Sequence, residues 1–108
     1  MGHAKSMNLL GRYLEEGLHC QVDKDAAVEW YRRSAEAGDF RGQFSHAAIL
    51  ADQGHVEQAI EWLRKALAGG NLNFLRVSTQ ALLQAGHRQI RAVAEEYRVR
   101  LLELERQA

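Results

Sequence analysis

Ala27-Val28-Glu29-Trp30-Tyr31-Arg32-Arg33-Ser34 and Ala59-Ile60-Glu61-Trp62-Leu63-Arg64-Lys65-Ala66 are one octet written twice, 32 residues apart. Self-similarity at a fixed period of this length is the mark of stacked helical repeats, in which no unit buries its apolar face alone. A glycine and a small polar residue close each block, Gly38-Asp39 in the first and Gly70-Asn71 in the second. Upstream of the octets Gly2 matches Gly38, Gly11 matches Ala47 and Tyr13-Leu14 matches Ile49-Leu50, now at an offset of 36. The second unit is therefore four residues shorter between its helices.

Composition agrees with that reading. The 108 residues are 46% hydrophobic and 26% charged, enough apolar content for one core and too much for a disordered chain. Proline is absent, and Ala, Leu, Glu, Gln and Arg dominate, so few positions forbid helix. Lysine plus arginine balance aspartate plus glutamate at 14 each, which gives no net field to draw nucleic acid or an anionic membrane. Neither class of partner is expected. Cys20 is the only cysteine, so there is no internal disulfide and no cysteine-rich zinc site. No stretch has the length of a signal peptide or a membrane span, so the expected location of the chain as given is the cytoplasm.

Glycines punctuate apolar periodicities of about a dozen residues, as expected where helices end in a left-handed residue. This predicts six helices, near Ala4–Glu16, Lys24–Ala37, Arg41–Gln53, Val56–Ala68, Asn73–Gln84 and Arg88–Arg106. Asp23 is placed to cap the second. Leu10, Leu14, Ala27, Tyr31 and Ala35 recur on facing sides of the first pair, with Gly11 permitting close approach.

Leu10-Gly11-x-Tyr13, Gly17, Asp23, Ala27, Trp30-Tyr31, Ala35 and Gly38 resemble the Sel-one-like solenoid repeat, a relative of the tetratricopeptide repeat. Ala47, Gly54, Ala59 and Ala66 make the second unit resemble a tetratricopeptide unit, with Leu63 where an aromatic is usual and Asn71 in place of the usual proline. Arg91 falls where the third unit should have a small packing alanine, and Ile90, Val93, Ala94, Tyr97, Leu101 and Leu104 form one stripe of a closing helix. The resemblance implies an all-α, right-handed α-solenoid of stacked antiparallel helix hairpins. One domain spans 1–108, with repeats at 2–38 and 39–70 and a degenerate repeat plus capping helix at 71–108. It also implies a scaffold for protein interaction.

No catalytic residue, cofactor or metal site is expected. His19 and Cys20 are adjacent and cannot easily chelate one ion together, and His3, His46, His55 and His87 lack the one-turn spacing of a helical metal pair. His46, which matches Leu10, reads as a partly buried, hydrogen-bonded residue, and Cys20 as an apolar plug under a loop. Glu15-Glu16 and Glu95-Glu96 point to different azimuths and read as solvated faces. Trp30 and Trp62 read as equivalent core positions whose truncation to alanine costs about 3–5 kcal/mol where well buried.

In tetratricopeptide-like stacks the first helix of each hairpin lines the concave face. Transferring its exposed positions selects Arg41, Phe44, Ala48, Ala51 and Asp52 in the second unit. The offsets then select Lys5, Asn8, Arg12, Glu15 and Glu16 in the first, and Asn73, Arg76, Gln80, Leu83 and Gln84 in the third. Of these, Lys5, Asn8, Arg12, Arg41, Phe44, Ala48, Asp52, Asn73, Arg76 and Gln80 are the expected partner-binding row. Its arginines suit an acidic segment or a chain-terminal carboxylate, with Phe44 as an apolar anchor. The rival readings are a piece of a larger repeat protein that supports another domain or self-associates, Gly2-His3 reading as the close of a preceding repeat, and a ligand- or metal-binding protein using His46.

Overall fold

The computed structural model describes residues 9–12, 15–16 and 23–107. All regular structure among them is helical. Residues 9–12, 15 and 16 are helical and precede α1 (Lys24–Glu36), α2 (Phe40–Asp52), α3 (Val56–Gly69), α4 (Leu72–Leu83) and α5 (Arg88–Gln107). Each boundary of these five lies within two residues of the one expected from the sequence.

Local chemistry accounts for the boundaries. Asp23, Asp39 and Asn71 sit at extended N-cap positions, and their side chains accept from the backbone N–H groups of Ala26 (3.0 Å), Gly42 (3.0 Å) and Phe74 (2.8 Å). The small polar residue after each block-closing glycine is therefore a start signal for the next helix. At the other end Gly38 (φ 94°) and Gly54 (φ 88°) take the left-handed conformation just past α1 and α2. That turn lets Asp39 N–H reach back to the Ser34 carbonyl and His55 N–H to the Leu50 carbonyl. Gly70 differs, with an ordinary φ of −72°, so the third break is not of the left-handed kind expected.

Packing follows the register of the repeated octet. Ala27 and Tyr31 of α1 are buried, as are Ala59 and Leu63 of α3, and Val93 and Tyr97 of α5. The tyrosine position is thus Tyr31, Leu63 and Tyr97, exposed by 3%, 3% and 0%, and an offset of 34 relates the last two. Arg91 is consequently not the misplaced packing residue that an offset of 32 makes it. It is exposed, and its guanidinium donates to the Ala85 carbonyl beyond the end of α4 at 2.7 Å, while Val93 fills the packing position.

Trp30 and Trp62 do occupy equivalent places, but only partly buried ones. Each carries a cation from the residue three positions on, Arg33 at 5.1 Å and Lys65 at 4.1 Å from the ring centroid. The deep position belongs to the residue that follows each tryptophan.

Helices α1 and α2 cross closely because Gly42 has no side chain, and a Cβ there would overlap the Ser34 side chain. Between α2 and α4 the spacer is aromatic, with Phe74 edge-on to Phe40 (4.7 Å) and Phe44 (5.7 Å). Helix α5 covers α3 and α4, and the Tyr97 hydroxyl donates to the Leu63 carbonyl at 2.5 Å. Ion pairs Arg64–Glu96 (3.1 Å) and Arg76–Glu105 (3.4 Å) strap it on from outside.

Candidate functional site

Residues 9–12, 15 and 16 belong to the opening of the first hairpin, and α2 and α4 open the next two. Their outward faces form one groove with two recesses. The first, about 290 Å³, is lined by Arg12 from the first of these segments, Arg41, Phe44 and Ser45 from α2, and Asn73, Val77 and Ala81 from α4. The second, about 210 Å³, continues along the same two helices toward their C-terminal ends, with Phe44 and Ala81 lining both recesses. Its walls are Ala47, Ala48 and Ala51 against Ala81 and Ala85, its floor is Leu63, Leu82 and Ile90, and Asp52 and His87 stand at one end.

Four of the expected row, Arg12, Arg41, Phe44 and Asn73, therefore meet in the first recess, and Phe44, Ala48 and Asp52 line the second. Ala51 is buried in the wall of the second rather than exposed. Arg76 and Gln80 are exposed but line neither recess, and Arg76 pairs with Glu105. Leu83 and Gln84 are exposed and likewise line neither. The cause is register: Val77 and Ala81 face the groove, one residue on from Arg76 and Gln80, and one residue turns a helix position by about 100°. Lys5 and Asn8 lie outside the described residues, as do His3, His19 and Cys20.

Among the described residues neither Arg12 nor Arg41 has an ion-pair partner, and the Arg41 guanidinium lies 4.5 Å from the centroid of the Phe40 ring. The nearby Glu15 accepts a hydrogen bond from the Tyr31 hydroxyl at 2.9 Å, which joins the first segment to α1. Burial, and after it the Glu15 carboxylate, push the Tyr31 phenol well above its ordinary range, so it stays a donor.

The histidine reading takes a different shape. His46 is half-buried with its ring edge-on to Trp62 at 5.1 Å, but its buried Nδ1 has no hydrogen-bond partner, contrary to the expected satisfied residue. Desolvation pushes its pKa below the ordinary imidazole value. Among the described residues no group of three or more His, Cys, Asp or Glu side chains is arranged to hold a metal ion. No described helix is long and apolar enough to cross a membrane.

Val77, Ala81 and Ala85 are groove residues that sequence reasoning misses. Their signal is a run of small or apolar side chains at four-residue spacing, which amphipathicity alone assigns to a core face.

A family model described as the Sel1 repeat matches residues 4–39 and again 56–71. No curated protein and no solved structure matches the chain. The first match spans the first hairpin, and the second covers α3 as far as the Asn71 cap. This repeat is a non-catalytic module that generally mediates protein–protein interaction. With two such matches on a stack of helix hairpins, the chain is a Sel1-like repeat protein and a helical solenoid.

Proposed function

We propose that this chain is an interaction module that holds an extended protein segment in the groove along the first helices of its hairpins. An acidic side chain or chain-terminal carboxylate of that segment meets Arg12 and Arg41. The observation that carries the reading is the convergence of Arg12, Arg41, Phe44 and Asn73 on one recess, with neither arginine ion-paired to a described residue. A guanidinium presents its donors as a planar fork that matches a carboxylate by two hydrogen bonds, while Asn73 adds an amide and Phe44 an apolar edge. The arginines of α1 are already committed: Arg32 pairs with Glu29 and Glu36, and Arg33 with Glu29.

Selection of a random 12-residue peptide library displayed on phage against the whole chain tests this. Enriched peptides should be rich in Asp and Glu and should lose affinity as salt rises. Arg12→Glu with Arg41→Glu should weaken them at least tenfold while leaving helicity, read by circular dichroism, unchanged. Peptides that bind the double variant as well as the parent would place the interface elsewhere.

A further inference from the structure

We infer that the second recess is an anchor socket for one aliphatic or aromatic side chain of the bound segment, set about three residues along the ligand from its acidic group. The inference rests on the groove reading and adds what that reading leaves open: the apolar half of the ligand and its spacing.

The socket exists because the two groove-lining helices are spaced by large residues at one end and small ones at the other. Phe40, Phe44 and Phe74 hold α2 and α4 apart near their N-terminal ends. Further along, Ala47, Ala48 and Ala51 face Ala81 and Ala85, and methyl groups cannot fill the interval that the phenyl rings impose. The remaining space, about 210 Å³, is floored by Leu63, Leu82 and Ile90, all of them core residues. A closed apolar cavity of about 150 Å³ takes up benzene, so this volume suits a leucine, methionine or phenylalanine side chain. Nearly all of the walls and floor are hydrocarbon, so the occupant's body is apolar.

Charge selects the kind of chain that brings it. The two recesses adjoin at Phe44 and Ala81, so a single strand can lie across both. Arg41 and Ala48 are seven residues apart on α2, about 10 Å at 1.5 Å per residue. An extended ligand covers that length in about three residues at 3.3 Å each. Beyond the socket Asp52 closes the groove with the opposite charge, so an acidic group is welcome on the arginine side only. The partner is thus an extended, acidic protein segment with one large apolar side chain at that spacing.

The peptides selected from the random library are the probe. The expected set pairs a Leu, Ile, Met or Phe with an Asp or Glu two to four positions away. Replacing that apolar residue by alanine, or making Ala48→Phe at the mouth of the socket, should each weaken binding at least tenfold by calorimetry. Combined, the two changes should cost little more than either alone, because both empty one contact. Ala81→Leu on the opposite lip is the independent variant. Ala48 and Ala81 are exposed, and circular dichroism checks that neither change unfolds the chain. Peptides that lose binding with Arg12→Glu and Arg41→Glu yet ignore both lip variants would overturn the socket and leave the groove standing. Acidic peptides with no apolar residue at that spacing would overturn it in the same way. Peptides indifferent to the arginines and the lips alike, or no enrichment at all, would remove the groove and the socket together.

Discussion

Helices α1 and α3 carry the same octet, yet they are tied into the molecule differently. On α1 the charges are satisfied within the helix, Arg32 between Glu29 and Glu36 and Arg33 back to Glu29. The guanidinium of Arg32, with that of Arg33 behind it, holds the Glu29 carboxyl down to about 2. On α3 the corresponding arginine, Arg64, reaches across to Glu96 of α5, and the Leu63 carbonyl accepts from Tyr97. The hydroxyl that α1 owns through Tyr31 is supplied to α3 by its neighbour. A shared repeat pattern therefore does not fix how a repeat is held, because the residues that differ, Tyr31 against Leu63, decide whether the anchoring hydroxyl is the helix's own or borrowed.

The largest test of that contrast is Tyr97→Ala, which empties a fully buried site at the α3–α5 contact and should cost about 3–5 kcal/mol. Trp62→Ala, at a position the two octets share but bury only in part, should cost about 2 kcal/mol. Urea denaturation midpoints of the two variants measure the order, and a larger loss from Trp62→Ala would show that the tryptophans carry the core after all.

A finer test keeps the ring and removes only the borrowed hydroxyl. Tyr97→Phe leaves the Leu63 carbonyl without its 2.5 Å donor and should cost about 1 kcal/mol, measured in the same way. No change in midpoint would mean that shape alone joins α3 to α5.

The smallest effect is expected at His46, the α2 residue against Trp62. Its folded pKa is depressed, chiefly by desolvation, with Glu36 opposing that shift and Arg32 adding to it. The folded protein thus binds fewer protons than the unfolded chain just below the ordinary value of 6.5. Its contribution to stability is whole above that pH and is lost as pH falls through the folded pKa. His46→Leu should abolish this acid-side loss with no penalty at pH 7, since it also removes an unpartnered buried nitrogen. Midpoints at pH 7.5 and 5.5 that fall equally in variant and parent would assign the loss to other groups.

Much of this molecule is legible in its sequence, for identifiable reasons. Helix boundaries are readable because Gly38-Asp39 and Gly70-Asn71 advertise a stop and a cap in adjacent letters. The first two hairpins come into register because two tryptophans mark one position. In the third unit there is no tryptophan to count from, and a helical period of 3.6 accepts a slip of one or two residues without losing its apolar stripe. That is why the count along the sequence puts Arg76 and Gln80 where Val77 and Ala81 stand, and Arg91 where Val93 packs. Four expected residues do share the first recess: Asn73 is reached by the same count as Arg76 and Gln80, but it stands four residues before Val77 and so on the same helix face. The alanine-walled recess is not legible, since a gap arises from what faces a residue across the groove and leaves no trace in either helix alone.

The close crossing of Gly42 on Ser34 has a consequence for anyone who would build longer arrays from this unit. The distance between two helix axes there is set by a hydrogen atom, and any larger group would tilt one axis away from the other. Copied along an array, even a small tilt adds up with every step, so the pitch of the whole superhelix is written in that one pair. Glycine must accordingly be inherited at that position: a methyl at residue 42 would meet the backbone of residue 34 as well as its side chain, so a smaller residue 34 does not make room for it.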